Sequence, residues 1–172
     1  MELEEVLKKR RSVRCFLEKE VEKEKLEKIL EAARSAPSAG NLEAREVYII
    51  SDKKKKGEIA TAALNQSFIQ KAPLVLIFFA DLERSASKYG ERGKELYAIQ
   101  DATIAASFAW LEAVAQGLAS VWVGAFDDEE IKKNLGAEDN LKPIAILPIG
   151  YGAEGPAPTS RRPKNETIKK FS

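Results

Sequence analysis

Histidine is absent from the 172 residues. Without an imidazole there can be no Ser-His-Asp triad, no Cys-His dyad and no His-ligated zinc or haem. Cysteine occurs once, as Cys15, which excludes a four-cysteine metal site and an internal disulfide. A surplus of either charge is also missing: 28 Lys+Arg against 27 Asp+Glu leave a formal net charge of +1. A nucleic-acid binder working by bulk charge carries a basic excess, so no nucleic-acid partner is expected. Long apolar runs are lacking as well. The clearest, from Ala102 to Leu111, is closed by Asp101 and Glu112 and is too short for a bilayer. The opening Met1-Glu-Leu-Glu-Glu5 is too acidic for a signal or transit peptide. The expectation is a cytoplasmic protein without a membrane partner.

What is present is a chain of single-domain length, 1–172, with 44% hydrophobic residues for a core. Leu3, Val6 and Leu7 ahead of Lys8-Lys9-Arg10-Arg11 predict a short amphipathic helix with a basic end. Leu26, Ile29, Leu30 and Ala33 predict a second helix over 22–35, stopped by Pro37. Turn chemistry marks Pro37-Ser-Ala-Gly-Asn41 as a loop. Val47–Ile50 reads as a strand, 53–64 as a helix, and Leu74–Ala80 as a strand buried on both faces. Residues 83–93 are polar, contain two glycines and read as a surface excursion. A long helix follows over 94–116, closed by Gly117. Its centre is apolar on every side, which suits a large core or a subunit interface. A strand over 118–123, a helix over 128–135 and a strand near 144–149 come next. The tail from Gly152 to Ser172 holds three prolines and no core segment of its own before Ile168 and Phe171.

One apparent signature fails. Gly150-Tyr-Gly152-Ala-Glu-Gly155 matches G-x-G-x-x-G, but the dinucleotide fingerprint needs a helix opening from its glycines. Pro156 and Pro158 follow instead, so the segment reads as a strand-exit turn. In Arg10-Arg11-Ser12-Val13-Arg14, alternate residues of an extended chain share a face. That face would carry two guanidiniums and a hydroxyl, good donors for a phosphate. A solvated basic turn is the plainer reading of the spacing alone. Arg161-Arg162 form a second basic pair in the tail. Asn65-Gln66 offer amides that could read the edge of a heterocycle, although surface amides are common. Gly124-Ala125 sit at a strand exit, where a small residue lets backbone amides approach a ligand, or simply where a turn precedes a helix. Cys15 has cationic Arg14 beside it but no histidine or second thiol to work with.

In chain order these segments resemble the nitroreductase family of FMN-dependent oxidoreductases. The matching stretches are Arg10-Arg-Ser-Val-Arg14, Ala36-Pro-Ser-Ala-Gly-Asn41, Asn65-Gln66 ahead of Ala72-Pro-Leu-Val-Leu-Ile77, and Gln100-Asp-Ala-Thr-Ile-Ala-Ala106. Gly117-Leu-Ala-Ser-Val-Trp-Val-Gly-Ala-Phe-Asp127, Pro148-Ile-Gly-Tyr151 and Arg161-Arg-Pro163 complete the series. The resemblance implies an α+β fold, with a mixed central sheet flanked by helices. It implies a homodimer with the long apolar helix at its centre, and a C-terminal tail crossing to the partner. FMN would lie between the subunits.

By position, Arg10, Ser12 and Arg161 resemble the phosphate and ribityl contacts, with Arg11 and Arg162 nearby, and Arg14 the cation at the pyrimidine edge. Pro37, Ser38, Ala39 and Asn41 would come from the other subunit. Asn65 resembles the amide that reads the pyrimidine, and Gly124 and Ala125 the backbone at flavin N5 and O4. The implied activity is hydride transfer from NADH or NADPH, through flavin N5, to a small nitroaromatic or quinone. Alternatives are a flavin-binding protein without turnover, or another flavin reaction such as reductive dehalogenation or flavin breakdown. Two departures stand out. Phe68 occupies a position where some members carry lysine, and the 82–94 excursion replaces the longer helical insert of larger relatives, so no substrate lid carries over.

Overall fold

The computed structural model describes residues 1–171. Two helices open the chain, α1 (Leu3–Lys9) and α2 (Lys23–Ser35). A single 3-10 turn, Ala39–Asn41, leads into β1 (Arg45–Ile50). Then come α3 (Lys53–Ala62), the one-turn α4 (Phe68–Lys71) and β2 (Leu74–Asp81). Helix α5 (Leu82–Arg92) passes through a π-helical turn, Gly93–Tyr97, into α6 (Ala98–Ala115). The short β3 (Ala119–Ser120), α7 (Asp128–Leu135), β4 (Leu141–Gly150) and α8 (Lys164–Thr167) finish it. Aspartates start three helices: Asp52, Asp81 and Asp127 each accept a bond from the backbone N–H of the third residue on. Left-handed Gly136 closes α7.

The strands form one sheet in the order β1-β2-β4-β3, antiparallel at every ladder. The α+β class is therefore as expected. The parallel component of the expected mixed sheet is a single isolated bridge between Ser12 and Ser120 among the described residues. Strand β2 is buried along both faces. Leu74, Leu76 and Phe78 meet Ile29 and Ala33 of α2 and the alanines of α6. Val75, Ile77 and Phe79 face Ile59 of α3 and Ile131 of α7. Full burial on two sides is common in parallel sheets, but here helices cover both faces of an antiparallel one.

Four other expectations need correction. The excursion at 83–93 is helical, because Asp81 caps it and Gly93 lets it fold tightly against Ser85. A Cβ at Gly93 would sit 2.5 Å from the Ser85 carbonyl oxygen. Gly90, at φ 55° and ψ −144°, supplies a kink rather than a break. The helix expected over 94–116 is regular only from Ala98, its first turn being π-helical. The helix expected to reach Leu64 ends at Ala62. The strand expected over 118–123 is regular for only two residues, with Val123 bridging back to Ile146 alone.

Helix α6 buries Ala98, Ala102, Ala105, Ala106, Ala109 and Ala113 against its own sheet and α2. Its other side is not covered: Phe108 is 39% exposed, and Leu7 of α1 is 55% exposed. The tail beyond Tyr151 is almost wholly exposed apart from Pro156, with an Ala153 N–H to Cys15 carbonyl bond at its root. Ser172 lies outside the described residues. No helix opens at Gly150, Gly152 or Gly155, so the rejected dinucleotide motif is a strand exit. Among the described residues no helix is long and apolar enough to cross a membrane.

Candidate functional site

The C-terminal end of α1 hands the chain to Arg10, whose N–H bonds the Val6 carbonyl at 2.8 Å. From there the backbone is extended and docks on β3, where the Val13 N–H donates to the Ser120 carbonyl at 3.0 Å. Val13 is buried, while Arg10, Arg11 and Ser12 are half-buried. The Arg10 guanidinium lies 4.4 Å from the centre of the Trp110 ring on α6, a cation–π contact that fixes its direction. Arg11 folds back to donate to the Arg10 carbonyl at 2.7 Å.

Arg161 returns from the far end of the chain close enough for its charge to act on Arg10. Burial first, then the positive charges of Arg161 and Arg11, push the Arg10 guanidinium below its ordinary value. Arginine stays charged regardless. Among the described residues no carboxylate pairs with any of these three. Converging guanidiniums without a counter-charge favour binding of a polyanion. Arg14 and Arg162 are exposed.

A second group forms where α3 ends. Leu64 and Asn65 both take left-handed conformations, φ 58° and 60°, costly for leucine and tolerated by asparagine. Gln66 pins this turn. Its side-chain amide donates to the Ala63 carbonyl at 2.9 Å and to the Ala125 carbonyl at 3.1 Å. The Asp127 N–H adds a bond to the Ala62 carbonyl at 2.9 Å. Exposed Asn65 and the exposed Gly124-Ala125 backbone are thus brought to one edge. A Cβ at Gly124 would meet nothing closer than the Trp122 indole at 3.4 Å, so packing within the chain does not demand glycine there. Phe68 is half-buried against the α3–β2–α7 core, an apolar use of its position.

The third group is the loop 37–44. Asp101, near the start of α6 and only 2% exposed, accepts from the Ala39 N–H at 2.9 Å and the Ala44 N–H at 3.3 Å. Ser38 turns its hydroxyl inward to accept from the Glu43 N–H at 2.9 Å. Gly40 and Asn41 are left-handed, and Pro37 and Asn41 are exposed. This group does not meet the arginines within one chain. Asp101 and Trp110 share α6, and at about 1.5 Å per residue they lie roughly 13 Å apart along it. A concavity of about 520 Å³, lined by residues such as Asp52, Lys55 and Asn134, contains none of the candidate residues. Among the described residues no cluster could hold a metal ion. Sequence reasoning used Asp101 as the end of an apolar run and as part of a matching stretch, and Trp110 as part of that run, and gave neither a role in the site. An acidic residue at the edge of such a run was the available signal.

The model of the nitroreductase family matches residues 7–67 and 58–151. The chain belongs to the nitroreductase family. Among its relatives, the FMN reductase (NAD(P)H) of Bacillus subtilis is 32% identical, over 90% of this chain and 67% of that protein. A Thermus thermophilus protein described as NADH dehydrogenase is 29% identical, over 93% of this chain and 91% of its own length. Among solved structures, an FMN-dependent nitroreductase from Clostridium difficile R20291 superposes with a TM-score of 0.82 at 32% identity. It covers 96% of each chain. The three groups of residues therefore sit in a nitroreductase-family fold.

Proposed function

We propose that this chain is an FMN-dependent NAD(P)H oxidoreductase acting on a small nitroaromatic or quinone acceptor, working as a cytoplasmic homodimer. The observation that carries the reading is the Arg10 guanidinium, set 4.4 Å from the centre of the Trp110 ring, within reach of the charges of Arg11 and Arg161 and without a carboxylate partner among the described residues. The donor set fits FMN. The guanidiniums suit its phosphate, with Arg162 beside them and Ser12 toward the ribityl chain. Asn65 presents an amide to the pyrimidine edge, Gly124 and Ala125 present backbone, and Arg14 is a free cation for the same edge. The chemistry that FMN supplies when bound is hydride transfer, taken from NADH or NADPH and passed to the acceptor. Hydride transfer to flavin N5 needs no general base, which suits a protein without histidine; its residues bind and orient.

The loop bearing Pro37, Ser38, Ala39 and Asn41 is anchored roughly 13 Å along α6 from the Trp110 ring beneath Arg10, and would complete the site of a partner subunit. The uncovered Phe108 side of α6 and the exposed tail supply the surface for that dimer, with residues 1–172 forming one domain per subunit. The family resemblance and the names of the Bacillus and Clostridium relatives support the choice of cofactor and reductant.

The test begins with the purified protein and FMN. One FMN per chain should be retained, and NADH or NADPH should bleach its absorbance in the absence of air. Retention without bleaching would leave a flavin-binding protein, and no retention would end the proposal.

A further inference from the structure

The polar face of helix α5 carries a run of cations. Arg84, Lys88 and Arg92 recur every fourth residue, so the first two stack on one face and Arg92 follows beyond the Gly90 kink. Like charges at that spacing repel. Among the described residues none of the three has a carboxylate partner. Of the two α5 carboxylates, Glu83 pairs with no cation among the described residues, and Glu91 lines a separate concavity with Glu95, Lys94 and Lys142.

The first two cations of the stripe, Arg84 and Lys88, face the 37–44 loop. The Arg84 Nε–H donates to the Leu42 carbonyl. The tips of Lys88 and Tyr89 converge on Gly40, so close that a Cβ there would lie 2.8 Å from Lys88 Nζ and would clash with the Tyr89 hydroxyl oxygen. Behind them the Tyr89 and Tyr97 rings meet edge to face at 5.1 Å. The Arg92 Nε–H donates to the Tyr97 hydroxyl at 2.9 Å. The Tyr89 ring and two uncompensated cations thus flank the loop assigned above to the flavin of the partner subunit, with Tyr97 and Arg92 next in line.

We infer that α5 selects the acceptor, and that the favoured acceptors are aromatic compounds bearing a carboxylate or another anionic group. The inference rests on the reading under Proposed function, which places the loop at the reacting flavin. A flat ring can lie against Tyr89 while its anionic substituent meets Lys88 and Arg92. Such charge-assisted contacts supply selectivity that a neutral ring of the same shape does not receive. No catalytic step is assigned to these residues; they orient the molecule that is reduced.

The test uses the FMN-loaded oxidised dimer and two unreactive probes of one shape, benzoate and benzamide, titrated calorimetrically. Benzoate should bind roughly fivefold or more tightly than benzamide, and Lys88→Gln with Arg92→Gln should erase that preference. In parallel, dithionite-reduced enzyme is mixed anaerobically with 4-nitrobenzoate or nitrobenzene, and the concentration giving half the maximal rate of flavin reoxidation is read. The substitutions should raise it for 4-nitrobenzoate relative to nitrobenzene by a similar factor. Equal binding of the two probes by the unaltered protein, or a preference that survives both substitutions, overturns the assignment. So does an effect confined to NADPH over NADH, which would give the stripe to the reductant's phosphate. Failure to retain or reduce FMN is a separate result, and would instead remove the reading on which this one rests.

Discussion

Arg10 has neighbours of three kinds: the Trp110 ring that fixes its direction, the Val6 carbonyl that takes its backbone N–H, and a tail guanidinium, Arg161, whose like charge repels it. A charged hydrogen bond is typically worth about 1.5–3 kcal/mol, and Arg10 spends its own on no side chain of the protein. Arg10→Ala should therefore weaken FMN at least roughly tenfold while scarcely changing riboflavin, which lacks the phosphate. Titration of both flavins by fluorescence measures it, and an equal loss for each would move Arg10 away from the phosphate. Asp101 is the converse case, a buried side chain whose two oxygens are both used by backbone N–H groups. Asp101→Asn keeps one acceptor and turns an amide donor toward a second donor. A buried unsatisfied donor costs about 1–3 kcal/mol. Amide exchange at Ala39 and Ala44 should quicken and FMN affinity should fall, with the helical circular dichroism retained. Unchanged exchange would show that the loop stands without its carboxylate.

At the scale of elements, the turn after α3 and the strand exit at Gly124 behave as one piece, because a single glutamine side chain bonds both. Gln66→Leu removes two bonds, each worth a net of about 0.5–1.5 kcal/mol. FMN affinity should drop roughly fivefold to a hundredfold, with the unfolding midpoint of the flavin-free protein falling only as far as two lost bonds require. A large fall in that midpoint, with affinity intact, would make Gln66 a purely structural tie. Much of this architecture was legible in the chain. Helices α1, α2 and α7 and strands β1, β2 and β4 announce themselves by periodicity and by Pro37 and the capping aspartates. Helix α5 does not, because Gly90 and Gly93 are breakers in isolation and become a kink and a close contact only once packed. The antiparallel ladders were hidden for a related reason: the all-apolar run of β2 reports burial on two faces, whichever way its neighbours run. The approach of Arg161 to Arg10 depends on a tail with no periodicity at all, and only the family resemblance pointed to it.

Taken whole, the molecule leaves two surfaces that a single chain does not cover, the Phe108 side of α6 and the tail. The tail also carries Arg161. Truncation after Tyr151 should therefore lower FMN content and loosen the dimer in the same sample, as read by absorbance and by light scattering. A folded monomer that keeps its flavin would contradict a shared site, and so would an intact dimer with undiminished affinity. Ligand that binds only the assembled form stabilises it by mass action, so added FMN should shift the full-length protein further toward dimer on dilution.

Helix α6 carries the Asp101 anchor at one end and the Trp110 platform toward the other, and this makes it a phase reference for both halves of the site. Each added residue would turn one end against the other by about 100°. Loops elsewhere can lengthen at slight cost, whereas this stretch has to keep its count. One alanine inserted between Asp101 and Trp110 should abolish flavin retention, while one inserted after Gly136 should leave it near normal, as absorbance of the purified proteins would show. The spacing of two side chains along one helix thus constrains where the length of this chain is free to vary.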